Sequence, residues 1–140
     1  MRKIKFRAWD KELEQMVYDV QATYDGLEYS KVNKDIDVDV YDWMDCFESW
    51  FNDRRFDLMQ YTGLKDKNGV EIYEGGVVMA EHPHLYASYL GLVSITPGDG
   101  LYIEYTDGHV DFGLDEIQYK KYIGVIGNIY ENPDILEGLR

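Results

Sequence analysis

The stretch from Leu58 to Val78 constrains this chain more than any other, because a polar turn ending in Asn68-Gly69 is soon followed by Gly75-Gly76 and the apolar run Val77-Val78-Met79-Ala80. Asn-Gly adopts positive φ at little cost, which tight hairpin turns require, so the flanks of Lys65-Asp66-Lys67-Asn68-Gly69 are expected to pair as antiparallel strands. Glu74-Gly75-Gly76 can then bend the backbone sharply before a β-branched strand begins. This arrangement suits the mouth of a small barrel. The residue types are those of scaffold turns and carry no catalytic chemistry.

The same residues carry a resemblance. Met59-Gln60-Tyr61-Thr62-Gly63-Leu64-Lys65-Asp66-Lys67-Asn68-Gly69 with Glu71-Ile72-Tyr73-Glu74-Gly75 resembles the signature of the YopX family of phage and prophage proteins. Lys5-Phe6-Arg7-Ala8-Trp9-Asp10 with Met16 near the start, and Val125-Ile126-Gly127-Asn128-Ile129-Tyr130-Glu131-Asn132-Pro133 near the end, agree with it in order. Gly76 departs from the family pattern, which usually has Asp there, and residues 20–56 and 81–120 carry no matching block. The resemblance implies a mainly β protein (α+β overall) with a C-terminal SH3-like small barrel, encoded by phages of Gram-positive bacteria, with no assigned biochemical activity.

At 140 residues the chain has the size of one domain, or of a barrel with a smaller N-terminal subdomain. The expected division is residues 1–57, a hairpin plus an amphipathic helix, and residues 58–140, the barrel with a short C-terminal helix. An apolar fraction of 45% supports a folded core despite the charge. The 13 Tyr are a surplus that serves either sheet faces or contact surfaces. With 14 Lys and Arg against 27 Asp and Glu, a net charge of -13 disfavours direct nucleic-acid binding driven by counterion release. Arg2, Lys3, Lys5, Arg7 and Lys11 cluster near the start, where a solvated strand face accounts for them.

Residues 3–9 alternate polar and apolar, Asp10-Lys11-Glu12 turns the chain, and Met16-Val17-Tyr18-Asp19-Val20 reads as the partner strand of an N-terminal β-hairpin. From Gln21 to Lys34 the signals are mixed, with Asp25-Gly26 offering a turn. Between Asp35 and Asp53, inclusive, stand seven acids and no Lys or Arg. Val40, Trp43, Met44, Phe47, Trp50 and Phe51 then recur at helical spacing, which predicts one amphipathic helix over about 39–53, with Asp39 as its N-cap. Such an aromatic stripe is ordinarily core; as a partner-binding face it makes Trp43, Phe47 and Trp50 the candidate contact residues.

The alternation Asp35-Ile36-Asp37-Val38-Asp39 invites a calcium hypothesis, but a helix-loop-helix calcium loop starting at Asp35 would have Val40 where Gly is needed and Cys46 where Glu is needed. Asp35, Asp37 and Asp39 are instead expected on one exposed strand face. His82-Pro83-His84 lacks the further ligands of a zinc site, and Cys46 is the single Cys, so no intramolecular disulfide forms. Ser30, Ser49, Ser88 and Ser94 lack a nucleophile-elbow context, and the Gly pattern matches neither a P-loop nor a dinucleotide fingerprint. The expectation is therefore no enzyme, no metal and no cofactor. The charged N-terminus lacks an apolar signal core, and the longest uncharged stretch, Leu85 to Gly98, is too short and polar to span a bilayer, so a cytoplasmic location in the host bacterial cell is expected.

The rest reads as a meander: Tyr89–Thr96, a turn at Pro97-Gly98-Asp99-Gly100, Leu101–Tyr105, a turn at Thr106-Asp107-Gly108, and His109–Phe112. Leu114–Ile117 suggests one helical turn, Tyr122–Tyr130 a central buried strand, and Asn132-Pro133 the start of a closing helix through Leu139. The function expected is a non-enzymatic phage accessory protein that contacts a protein, either a second copy of itself in a homo-oligomer or a phage or host partner. The alternative is an acidic nucleic-acid mimic that inhibits a DNA-binding protein through Asp35, Asp37 and Asp39.

Overall fold

The computed structural model describes residues 4–23, 26–41, 43–44, 47–82, 87–96, 98, 100–112 and 114–135. The fold is mainly β, as expected. The chain divides into two compact units, Lys3–Gln60 and Tyr61–Arg140, and passes from one to the other within a single strand.

In the N-terminal unit, β1 (Phe6–Asp10) and β2 (Gln15–Val17) form the expected hairpin, with Ala8 opposite Val17. The Asp10 carboxylate tightens its turn by accepting the backbone N–H groups of Glu12 at 2.9 Å and Leu13 at 3.2 Å. The first half of β3 (Phe56–Lys65) pairs antiparallel with β1, placing Asp10 opposite Phe56. Helix α1 (Gly26–Val32) occupies the region of mixed sequence signals. Just beyond it the buried Asn33 accepts the Tyr18 N–H at 2.7 Å and donates to the carbonyls of Tyr18 and Tyr29. One amide side chain thus stands in for a strand partner at Tyr18.

The single helix expected over 39–53 is corrected: the chain forms a 3-10 turn at Val38–Tyr41 and a separate α2 (Phe47–Asn52). The reason lies in Tyr41, which the helical stripe left off the apolar face. Its ring packs against Trp50 and Phe56, and its hydroxyl donates to the buried Asp10 at 2.6 Å. Tyr41 faces inward while Val40, Trp43 and, on α2, Phe51 are exposed. The core of this unit is Ala8, Val17, Val20, Tyr29, Tyr41, Met44, Trp50 and Phe56.

In the C-terminal unit, the second half of β3 pairs with β4 (Glu71–Tyr73), Tyr61 opposite Tyr73 and Lys65 opposite Glu71, across the predicted Asn68-Gly69 turn. Gly69 has φ 81°, the positive value for which that dipeptide was read. After a tight turn at Glu74-Gly75, a Cβ on Gly76 would stand 2.9 Å from the Tyr73 carbonyl oxygen. Five antiparallel strands follow in the spatial order β8-β7-β6-β5-β9, curled into a half-barrel: β5 (Gly76–His82), β6 (Ala87–Thr96), β7 (Gly100–Tyr105), β8 (Val110–Asp111) and β9 (Ile123–Asn128). Leu64, Ile72, Val78, Ala80, Val93, Ile103, Tyr105, Tyr119 and Ile123 form its core.

Helix α3 (Glu116–Tyr122) replaces the expected turn at 114–117 and runs further, because Asp115 and Gln118 form a reciprocal capping box that starts it and Lys120-Lys121 suit its C-terminal end. Strand β9, expected to be central, is instead the edge of the sheet beyond β5, with Ile126 exposed. Its outer side is covered by the β3–β4 turn. The buried Asp66 accepts the Val125 N–H at 2.7 Å, and the Lys67 N–H donates to the Ile123 carbonyl at 2.9 Å. The closing helix begins with a 3-10 turn at 133–135, and its remainder lies outside the described residues.

Candidate functional site

The residues singled out in the sequence do not form one face. Trp50 is fully buried, donating its indole N–H to the Thr23 hydroxyl at 2.9 Å, so it supports the N-terminal core. Phe47 is half-buried between Phe6 and Phe51. Trp43 is 50% exposed, its indole N–H held by the Val40 carbonyl. Asp35, Asp37 and Asp39 are exposed, on a turn and the 3-10 segment rather than on a strand, with the Asp37 carboxylate accepting the Asp39 N–H at 3.0 Å. Cys46, Pro83 and His84 lie outside the described residues. Among the described residues no group of three or more His, Cys, Asp or Glu is placed to hold a metal ion.

The N-terminal unit does hold a buried charge cluster. Asp10 is fully buried and takes a two-pronged contact from Arg55, Nε to Oδ1 and Nη2 to Oδ2, each 2.7 Å, besides the Tyr41 hydroxyl and its two backbone donors. Arg55 lies over the rings of Phe56 and Tyr41 and also meets Glu12 at 2.9 Å. Burial by itself would raise the Asp10 pKa, but the hydrogen bonds from Arg55, Tyr41, Leu13 and Glu12 outweigh it and hold it at about 2. Burial and the hydrogen bond to Asp10 push the Tyr41 phenol well above its ordinary value. With every partner committed to another, this cluster fixes the fold and presents nothing to a ligand.

A different place in the C-terminal unit does present something. A cleft of about 290 Å³ is lined by Ala80, Tyr89, Tyr105, Asp107, His109, Val110 and Asp111. Strand pairing builds it. Gly91 stands opposite Tyr105 in the β6–β7 register, and a Cβ there would lie 3.0 Å from the Tyr105 ring and 2.5 Å from Ile103, so the missing side chain is what lets that ring lie over the sheet. Tyr89, two residues earlier on β6, meets Tyr105 edge to face with centroids 6.0 Å apart. The turn at Thr106-Asp107-Gly108, with Gly108 at φ 91°, brings His109 and β8 back along the same side.

The polar groups of the cleft are paired. Tyr105 donates its hydroxyl to Asp111 at 2.8 Å, and burial with that bond raises the phenol far above its usual range. Asp107 accepts the His109 backbone N–H at 3.0 Å and meets its Nδ1 at 2.7 Å. Those two contacts lower the Asp107 pKa, and the hydrogen bond and charge of Asp107 raise that of His109. Beneath the cleft wall, burial and the Asp111 charge push the Tyr119 phenol up to about 12. Sequence reasoning missed this site. Its available signal was Tyr105-Thr106-Asp107-Gly108-His109-Val110-Asp111, in which a tight turn carries one acid and is followed by a second, beside a strand tyrosine.

The chain is thus a small, mainly β antiparallel protein with a surface cleft of tyrosines and carboxylates. The family described as YopX protein matches residues 5–137, and the chain belongs to that family. Among solved structures, the crystal structure of protein EF1440 from Enterococcus faecalis is similar at 26% identity, covering 97% of this chain and 99% of that one with a TM-score of 0.62. Protein yopX from Bacillus subtilis matches at 18% identity over 97% of this chain and 99% of that one, with a TM-score of 0.48. No curated protein matches the sequence.

Each of the three sequence blocks that resemble the family centres on a side chain that organises backbone. Asp10 serves the first, and Asp66, which also accepts the N–H groups of Asn68 at 2.9 Å and Val70 at 2.8 Å, serves the second. Asn128 serves the third, accepting the N–H groups of Tyr130 and Glu131 while Asn132 caps its own N–H. The recognisable residues are thus fold determinants, and all of the cleft lining but Ala80 lies in the part of the chain, 81–120, that carries no matching block.

Among the described residues no helix is long and apolar enough to cross a membrane.

Proposed function

We propose that this chain is a non-enzymatic accessory protein of a phage or prophage that works by contacting a protein through the Tyr89–Tyr105–Asp111 cleft. The observation that carries this is the chemistry of the lining. It combines an aromatic ring with two carboxylates and a histidine, groups suited to holding a polar or cationic feature on the surface of another protein. Asp107 meets His109 and Asp111 accepts from Tyr105, so both carboxylates are held along the cleft.

The test is capture of tagged protein from prophage-induced host lysate at moderate salt, comparing the native chain with Tyr89→Ala, whose folding is verified by thermal unfolding. A partner held by the native chain and lost by Tyr89→Ala is expected. Equal capture by both removes the cleft from the function. The acidic-mimic alternative retains one supporting feature, the exposure of Asp35, Asp37 and Asp39. It expects a nucleic-acid-handling partner released by raised salt and lost when those three are changed to Asn.

A further inference from the structure

We propose that the cleft receives an arginine side chain projected by a basic protein partner, a reading that rests on the cleft being the partner-binding site. Three properties of the lining point to that chemistry. First, size: about 290 Å³ lies at the lower limit of ligand pockets, which run from about 300 to 1,000 Å³, so the cleft suits one long side chain rather than a nucleotide or a folded peptide.

Second, charge. Asp107 and Asp111 contribute carboxylates, and no Lys or Arg stands among the described lining residues. A phosphate or carboxylate ligand would meet like charge. A purely apolar ligand would strip water from two acids without replacing it. The one base in the lining, His109, is held against Asp107. His109 has a side chain 83% exposed and the Asp107 side chain is 38% exposed, so an incoming cation can displace the imidazole or share the acid with it. Asp111 uses Oδ2 for the Tyr105 hydroxyl, and a carboxylate has acceptor sites for further donors.

Third, shape. The half-buried Tyr89 meets the buried Tyr105 at 62° between ring planes, so the Tyr89 ring is the aromatic surface left at the cleft. A guanidinium is planar: it stacks on a ring while its edge N–H groups reach a carboxylate, a combination that a compact, strongly hydrated ammonium satisfies less well. The net charge of -13 also draws basic partners towards the chain before contact.

The experiment is a titration of the full chain, labelled for amide NMR, with the peptides Gly-Arg-Gly, Gly-Lys-Gly and Gly-Glu-Gly and with spermidine. The arginine peptide is expected to bind in the millimolar range and to shift Tyr89, Tyr105 and residues 107–111, with the lysine peptide weaker and the glutamate peptide silent. Asp111→Asn with Asp107→Asn should weaken arginine binding about tenfold. Equal response to arginine and spermidine overturns the proposal in favour of free polyamines. A chain that is already dimeric by light scattering, with the cleft amides insensitive to every peptide, overturns it in favour of a second copy. If Tyr89→Ala loses its captured partner while arginine shifts nothing, this inference falls and the cleft remains a docking site. If arginine shifts the cleft while Tyr89→Ala still captures the partner, the cation site stands and its role as the docking point falls.

Discussion

Each unit of the chain buries a carboxylate, and the two are satisfied in opposite ways. Asp10, in the N-terminal unit, is met by the Arg55 guanidinium and the Tyr41 phenol as well as by backbone. Asp66, in the C-terminal unit, is met by the backbone N–H groups of Asn68, Val70 and Val125. The first arrangement ties the buried carboxylate to a partly exposed guanidinium that also pairs with Glu12, so the loss of Asp10 leaves chiefly the Tyr41 hydroxyl and the turn N–H groups without their acceptor. The second distributes the carboxylate over peptide dipoles, so its loss is divided among donors, two of which lie in an exposed turn where water can replace it.

The largest test of this contrast is Asp10→Ala. With the buried Tyr41 hydroxyl and the turn N–H groups losing their acceptor, while Arg55 keeps Glu12, the N-terminal unit should lose about 3 kcal/mol. All three Trp of the chain lie in that unit, so tryptophan fluorescence during urea unfolding reports on it directly. A loss below 1 kcal/mol would break the comparison.

Acid provides a second, graded test. Asp10 has a folded pKa of about 2 against an ordinary 3.8. A depressed value means that its contribution is complete above the unfolded pKa and disappears as pH falls through the folded one. About 2 kcal/mol should therefore drain away between roughly pH 4 and pH 2. The same titration on Asp10→Asn, at matched urea, should lack this limb; an unchanged acid profile would assign the transition to other groups.

The smallest effect belongs to Asp66→Asn. An amide cannot accept on both of its ends, so either Val125 or the Asn68–Val70 turn will face a donor, at about 1–2 kcal/mol. The Val125 amide should exchange with deuterium faster than its neighbours in β5. Uniform acceleration across the sheet would instead mean that Asp66 carries the whole unit, and the contrast with Asp10 would vanish.

Much of the C-terminal fold was legible because its instructions are local. Asn68-Gly69, Gly75-Gly76 and Thr106-Asp107-Gly108 each dictate a turn without reference to distant residues, and the strands between them follow. The N-terminal unit was harder for the converse reason. Val40, Trp43 and Phe51 fit a helical period as well as Met44 and Trp50 do, and the contacts that separate them are distant in sequence, such as the Tyr41 hydroxyl on Asp10, 31 residues away, and the Trp50 indole on Thr23. The helix α1 was hidden by a run without strong periodicity. The cleft depends on cross-strand register, since Tyr89 and Tyr105 meet only once Gly91 is opposite Tyr105, and no spacing along one strand reveals that.

The cover that Asp66 and Lys67 place over β9 bears on how this protein can meet others. A bare strand edge invites an extended segment of another chain to join by main-chain pairing, a route to recognition and to aggregation alike. In the five-stranded sheet one edge, β8, is two residues long, and the other is occupied at Ile123 and Val125 by the β3–β4 turn. Strand addition is therefore poorly served at both ends of the half-barrel, and what remains to distinguish one visitor from another is side-chain chemistry.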